Sequence, residues 1–439
     1  MQDQVYFLNQ NLALLLIIAA SLLFAAIGIL YSRKHQGLSN YLTAGRNVGT
    51  TSLTTSLVAS ALGAWILFGP ASAATWGGIG SVIGYSLGTA FPMIAFIFLG
   101  TKIRKVFPRG HTLTEFIHYK FGKKLFKLIL ILTVFYMFIF LCAEVTAVSM
   151  LVNYISGTSL WLTATLVVVT TLIYTLYGGL RASILTDNLQ FFIVLILLLI
   201  CAYYLFSLNS EDISFQLVQS NSQHLLSSKY IPNYTAGLTF FIAVAATNLF
   251  HQGNWQRVFA AKNNEVLKRS LWTSFVIIIP IVFFMGISGI IAVSLDSKVN
   301  PDLAFFSILL KGKTEFLSVL IIILAVSLTV STIDTLVNAI SSLVVVDGKN
   351  FYGNLKKNDF LRLSKIFIII LCIISLIIAS KGFSILYLFL LADLLCCAAV
   401  FPVFYGFYKR NLKEKDLTDF SHETVQMFFN DAEKAGFRL

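Results

Sequence analysis

Charge is what this sequence has least of. Asp, Glu, Lys and Arg make up 12% of its 439 residues, about half the roughly 25% of a soluble domain. That shortage excludes a water-soluble enzyme with an unusually large core. Acidic residues are the rarer sign, 20 against 32 Lys and Arg. The six histidines (35, 111, 118, 224, 251 and 422) are scattered, and no H-E-x-x-H, G-x-S-x-G, Walker A or D-x-D metal motif accompanies them. The five cysteines (Cys142, Cys201, Cys372, Cys396 and Cys397) fall in apolar runs without metal-site spacing, as expected for buried thiols. Arginines form no periodic run, which argues against a voltage sensor. No catalytic centre is expected, and no enzymatic activity.

Apolar length is abundant. Hydrophobic residues are 57% of the chain. Runs of about 20 apolar residues lie near 11–31, 52–75, 79–100, 126–151, 159–177, 187–207, 235–256, 271–295, 315–345, 363–380 and 383–407, so an all-α polytopic membrane protein of about eleven transmembrane helices is expected. The first run is too long for a signal-peptide core, and the leader "MQDQVYFLNQN" has no basic residue, so this run is expected to stay as a helix.

The net charge of +12 invites a nucleic-acid reading, which the distribution of that charge refutes. With the N-terminus outside, alternate connections hold 27 Lys and Arg on the cytoplasmic side and 5 on the other. Such asymmetry is the signature of membrane orientation. The expected partners are the lipid bilayer and a small-molecule solute, not nucleic acid, and the expected location is a bacterial plasma (inner) membrane with the C-terminus in the cytoplasm.

The chain divides into an N-terminal extra helix (1–37), a first five-helix unit (38–207), an outer loop (208–234), a second five-helix unit (235–407) and a tail (408–439). The first helix of each unit is interrupted. One reads "LVASALGAWILFGPASAATWGG", with Gly63, Gly69 and Pro70 inside the apolar run, and the other "FFIAVAATNLFHQGNWQRVFAAK", with Asn248, His251, Gln252 and Gly253. A five-helix unit inserted twice takes opposite topologies. Matching interrupted helices in two such units point to a transporter with inverted repeats and a binding site near the bilayer midplane.

One helix of the second unit is polar on one side. In "AVSLTVSTIDTLVNAISS" (325–342), Ser327, Ser331, Asp334, Thr335, Asn338, Ser341 and Ser342 fall within roughly 120° of one another at about 100° per residue. Sodium needs several oxygens. Ser331 and Thr332 supply hydroxyls, Thr332 lies four residues after Leu328 and so near its carbonyl, and a break near Ala59 to Leu62 would free further carbonyls. Carboxylates inside apolar runs are costly and face a partner or an aqueous path. Four are present: Glu144, Asp187, Asp334 and Asp393.

Four ordered stretches, "NYLTAGRNVG" (40–49), "GHTLTEFIHYKFG" (110–122), "YGGLRASILTDNLQ" (177–190) and "TVSTIDTLVNAISS" (329–342), resemble the successive motifs of the sodium:solute symporter family, over about residues 38–407. The resemblance implies a leucine-transporter-like five-plus-five fold with an extra N-terminal helix. It implies a main sodium site from the carbonyls of Ala59, Leu62 and Leu328 and the hydroxyls of Ser331 and Thr332. It also implies a second sodium at Asp187, Asp334 and Thr335. Several relatives have an acidic or hydroxyl residue in the first core helix where this chain has Ala61 and Gly63. "NLFHQGNWQRVFAAK" is similar to the Q-x-x-W-Q-R stretch of the urea and polyamine branch, and the substrate contacts are then expected at Trp65, Glu144, Asn248, His251, Gln252 and Trp255. Arg257 is expected at the cytoplasmic edge, against lipid phosphate or helix ends. Relatives typically carry further helices after "FPVFYGFYKR", where this chain has a charged segment. The activity implied is sodium-coupled symport of a small polar solute, urea or a related amine or amide, by alternating access. Proton coupling through Asp187 or Asp334 is the alternative. A solute sensor that does not transport has no signalling domain here to support it.

Overall fold

The computed structural model describes residues 6–33, 37–207, 222–311, 315–348 and 357–407. Most of the outer loop placed at 208–234, and the tail at 408–439, lie outside the described residues. Among the described residues there are fourteen α-helices: α1 Gln10–Ser32, α2 Leu38–Thr43, α3 Thr50–Ala61, α4 Gly69–Val106, α5 Leu113–Phe121, α6 Lys123–Ser156, α7 Leu160–Phe206, α8 Ile231–Phe250, α9 Gln252–Ala260, α10 Asn264–Leu295, α11 Ala304–Leu309, α12 Glu315–Asp347, α13 Lys357–Ala379 and α14 Ile385–Gly406. Among the described residues no strand forms beyond one isolated backbone bridge.

Eight of these helices are long and apolar enough to cross a membrane, against about eleven expected runs. The difference has a local cause. Two pairs of runs meet in single helices, α4 and α7, which carry non-helical residues at Gly78 (φ 58°, ψ −155°) and Gly179 (φ 61°, ψ −161°), and the run at 235–256 is split at His251 between α8 and α9. Both glycines sit in the left-handed region, where a side chain is strained.

The two interrupted segments are broken beside the glycine, proline or polar residues that interrupt their apolar runs. In the first, α3 ends at Ala61, Leu62 and Gly63 are extended, a 3-10 turn covers Ala64–Leu67, and α4 restarts at Gly69 with Pro70 in its first turn. Proline costs nothing there because first-turn amides have no partner in the helix. In the second, α8 ends at Phe250, His251 is extended (φ −66°, ψ 104°), and α9 begins at Gln252. The segments run in opposite directions. Val48, just before the first, accepts from the amide of Lys262 (3.0 Å) and donates to the carbonyl of Ala260 (3.1 Å), at the end of the second. Arg104 adds hydrogen bonds to the carbonyls of Val258 and Ala261, capping α9.

α12 is the centre of the bundle. It packs against α1, α3, α5, α6, α7, α9 and α13, and 78% of its most apolar window is buried, against 22% for α13 at the periphery. That is why a polar stripe survives on so hydrophobic a helix: it faces protein. α4 and α8 meet along glycines. A Cβ on Gly80 would stand 1.7 Å from the carbonyl oxygen of Asn233, and one on Gly84 2.0 Å from that of Gly237. The two backbones touch, as small residues permit in membrane helices.

Candidate functional site

The four motif stretches meet at the end of the bundle that carries most of the basic connections. At the Gly179 kink of α7 the chain of α2 crosses so closely that a Cβ would lie 2.7 Å from the Cα of Tyr41. Arg181 fastens the crossing by donating to Asn40 (3.2 Å) and to the carbonyl of Ala44 (3.1 Å). The Tyr41 hydroxyl pairs with Ser341 on α12 at 2.9 Å. Thr112 caps α5 by accepting from the amide of Glu115, and Thr112 and Thr114 both donate to Asp347 at the end of α12. So the spaced motifs form one joint.

Above that joint lies a fully buried ion pair. Arg257 of α9 donates from Nη2 to Asp187 Oδ2 of α7 at 2.6 Å, and both side chains have 0% exposure. The guanidinium also donates to Ser56 of α3 (2.8 Å), Thr335 of α12 (2.9 Å) and the carbonyl of Gly253 (3.0 Å). Ser56 donates to Asp187 Oδ2 at 2.6 Å, and Ser331 donates to Oδ1 at 2.7 Å. Arg257 therefore does not lie at the membrane edge. Its expected place against lipid phosphate is corrected: Asp187, 70 residues earlier, draws it into the interior, where four hydrogen bonds offset its desolvation.

The expected sodium ligands lie just beyond this pair. The last rung of α3 is the amide of Leu62 donating to Val58 (3.0 Å), so the carbonyls of Ala59 through Leu62 lie past the end of the ladder. Thr332 donates to the carbonyl of Leu328 at 3.1 Å, as its spacing predicts. α3 leaves the basic end at Thr50 and α12 reaches it at Asp347, so the two helices are antiparallel. Ser56 and Ser331 share the carboxylate of Asp187 and fix their register. One turn onward from Ser56 on α3 is Ala59, and one turn back from Ser331 on α12 is Leu328, which places the two at about the same height.

The expected second-site residues separate. Asp187 and Thr335 are joined through Arg257. Asp334 projects from a neighbouring face of α12 and accepts from Asn338 (2.7 Å), Tyr174 (3.2 Å) and Thr186 (3.3 Å).

The six expected substrate contacts divide as well. Glu144 of α6 reaches into the first break, where its carboxylate accepts from the amides of Ala64 (2.9 Å) and Trp65 (3.2 Å). It brings a carboxylate to the break beside Ala61 and Gly63. A Cβ on Gly63 would stand 2.3 Å from its Oε1. Trp65 stacks on Tyr85 (5.6 Å) and meets Phe389 edge-on (6.0 Å). Phe389 meets Phe140 (5.0 Å), and Phe140 meets His251 (5.8 Å). Glu144 stands one turn from Phe140. Asp393 stands one turn from Phe389 and accepts from Thr247 at 2.5 Å. Trp65, Glu144 and His251 thus share one aromatic cluster between the two breaks. Trp65 Nε1 and both ring nitrogens of His251 are buried there without a protein partner. The other three are engaged elsewhere. Asn248 donates to the carbonyl of Val244 in its own helix (2.9 Å). Gln252 accepts from the amide of Leu113 (3.2 Å) and donates to the carbonyl of His111 (3.1 Å). Trp255 is fully buried, donates to the carbonyl of Leu249 (2.8 Å) and packs against Phe96. Ser56, Phe140 and Phe389 were not singled out from the sequence. Ser56 left a trace as one hydroxyl among many in "TTSLTTSLVAS", but the two phenylalanines are indistinguishable there from lipid-facing ones.

Two oppositely directed helices, each broken beside the other within a bundle of membrane-length helices, define the leucine-transporter-like class of membrane transporter. Two solved structures share the fold. A substrate-bound, outward-open Na+-coupled sialic acid symporter superposes with a TM-score of 0.73 at 16% identity, covering 95% of this chain and 96% of that one. MhsT in complex with L-phenylalanine superposes with a TM-score of 0.55 at 12% identity, covering 88% and 99%. Within that class the chain belongs to the sodium:solute symporter family, which residues 41–413 match. Its curated relatives include the spermidine transporter DUR31 of Candida albicans, 27% identical over 384 residues that make up 87% of this chain and 72% of that protein. They also include the urea active transporter of Saccharomyces cerevisiae, 25% identical over 261 residues, 54% of this chain but only 34% of that longer protein.

Proposed function

We propose that this protein is a sodium-coupled symporter of a small, nitrogen-rich polar solute, urea or a related amine or amide. The N-terminus faces outward and the basic connections face the cytoplasm. Sodium binds the carbonyls of Ala59, Leu62 and Leu328 and the hydroxyls of Ser331 and Thr332. It draws the broken first segment against α12 and thereby raises affinity for the solute. The solute binds between the breaks, at Trp65, Glu144 and His251, with Asp393 beyond the Phe140–Phe389 pair.

The observation that supports this reading is that Ser56 of α3 and Ser331 of α12 share the carboxylate of Asp187, so that by helix rise the open end of the α3 ladder and Leu328 come to about the same height. The carboxylates and aromatic rings around the solute position favour a donor-rich or cationic ligand over an anion. The spermidine and urea transporters among the relatives support the same class.

The test is uptake into vesicles containing the purified protein, using radiolabelled urea, putrescine, proline, acetate and sugars, each under a sodium gradient and under a pH gradient alone. Uptake driven by sodium and confined to urea or putrescine is expected. Uptake driven by the pH gradient alone would establish proton coupling instead. Replacing Ser331 and Thr332 together by Ala should raise the sodium concentration for half-maximal uptake at least tenfold, and an unchanged value would place the ion elsewhere.

A further inference from the structure

Sodium coupling leaves open how many ions the protein carries. Two features of the buried ion pair bear on that number. The first is occupancy. Of the roughly four lone-pair positions of a carboxylate, Asp187 has three filled, by Arg257, Ser56 and Ser331. The Thr335 hydroxyl oxygen accepts from the same guanidinium. The second is charge. The pair sums to zero at 0% exposure, so Asp187 is already neutralised, Asp334 beside it is held separately by Asn338, Tyr174 and Thr186, and an ion entering at Asp187 would meet Arg257 in a low-dielectric interior.

We propose that Arg257 is a resident cation, seated where a second coupling ion would otherwise bind, so that the protein carries one sodium per cycle. This rests on the sodium-coupled reading above and specifies it. Asp187 is then a positioning residue rather than an ion ligand. Ser331 spends its single proton on Asp187 Oδ1, which leaves the lone pairs of that hydroxyl turned away from the carboxylate and free to meet sodium beside Leu328 and Thr332. Ser56 and Arg257 in turn fix Asp187. The guanidinium does permanently for α3, α7, α9 and α12 what an exchangeable ion would do only while bound.

The experiment is equilibrium binding of radioactive sodium to the purified full chain, with stoichiometry and Hill coefficient read from the titration. The wild type is expected to bind one ion with a Hill coefficient near 1. Arg257→Gln frees Asp187 and Thr335 and is expected to raise the stoichiometry to two, whereas Arg257→Lys keeps it at one. Asp187→Asn is expected to weaken sodium binding about tenfold, with little further loss when Ser331→Ala is added, because both changes act on one hydroxyl. A merely structural role would give additive losses. Should Arg257→Gln fail to fold, the wild-type count and the Asp187–Ser331 double-mutant cycle decide. Two ions in the wild type, or additive losses in the cycle, overturn the resident cation and leave sodium coupling intact. No sodium binding at all overturns the coupling itself.

Discussion

Replacing Glu144 by Gln keeps the side chain's shape but removes its charge, and both amides it holds, those of Ala64 and Trp65, are buried. A weakened or lost bond to a buried amide costs about 1–3 kcal/mol. Glu144→Gln should therefore lower the thermal stability of the purified protein measurably and reduce uptake of cationic amines more than of urea. Gly63→Ala should be worse, because its Cβ would fall within 2.3 Å of the same carboxylate. Thermal unfolding together with uptake of putrescine and urea checks both, and a Gly63→Ala protein of wild-type stability would deny the close fit. At this scale the sequence was partly legible. The hydroxyl stripe of α12 could be read because periodicity is local, and the bond from Thr332 to Leu328 follows from spacing alone. Arg257 could not be placed. Its partner lies 70 residues away, and a lone arginine after an apolar run looks like an interfacial residue until the helices are packed. Trp255 was misleading for the opposite reason: its indole serves the carbonyl of Leu249 and the core.

Helix α4 shows what a single element contributes. Gly80, Gly84 and Gly88 recur every fourth residue, so they form one face, and each would put a Cβ within 2.8 Å of a carbonyl oxygen of α8. Gly84→Leu cannot be absorbed by a rotamer change, because the obstacle is the backbone of Gly237. Overpacking typically costs about 1–3 kcal/mol, and a backbone contact of this kind belongs at the upper end. Thermal unfolding should show that loss, and uptake should fall with it. A substitution at the exposed Leu87 of the same helix, Leu87→Ala, should be nearly silent. Helix breaks were legible because glycine, proline and polar residues interrupt an apolar run. The number of separate helices was not, because hydropathy falls between two runs whether the backbone turns sharply there or continues through one left-handed glycine, as it does at Gly78 and Gly179.

For the whole molecule, the 27-to-5 division of basic residues and the clustering of the motif stretches at the basic end make orientation a sharp prediction. Among the native cysteines, Cys142, Cys201, Cys372 and Cys396 are buried and Cys397 is half-buried, so labelling of intact cells by an impermeant maleimide should start from a low background. Lys298→Cys should label in intact cells, and Lys105→Cys only after permeabilisation. Both positions are exposed. The reverse pattern would invert the assignment. The global fold was legible early because membrane length, two matched interruptions and a charge bias each constrain it independently. How the motifs meet was not, since contacts such as Tyr41 with Ser341, 300 residues apart, exist only once the two halves close on each other.

The buried guanidinium also sets an order of events during synthesis. An arginine left in hydrocarbon at the centre of a helix is disfavoured by roughly 2.5–3.5 kcal/mol, so the α8–α9 segment cannot settle by itself. Ser56 and Asp187 precede Arg257 in the chain and are already in the membrane when it emerges, whereas Ser331 and Thr335 follow. In chain order, then, the first half of the molecule carries the countercharge that α9 needs, and the two α12 hydroxyls that complete the shell come only after it.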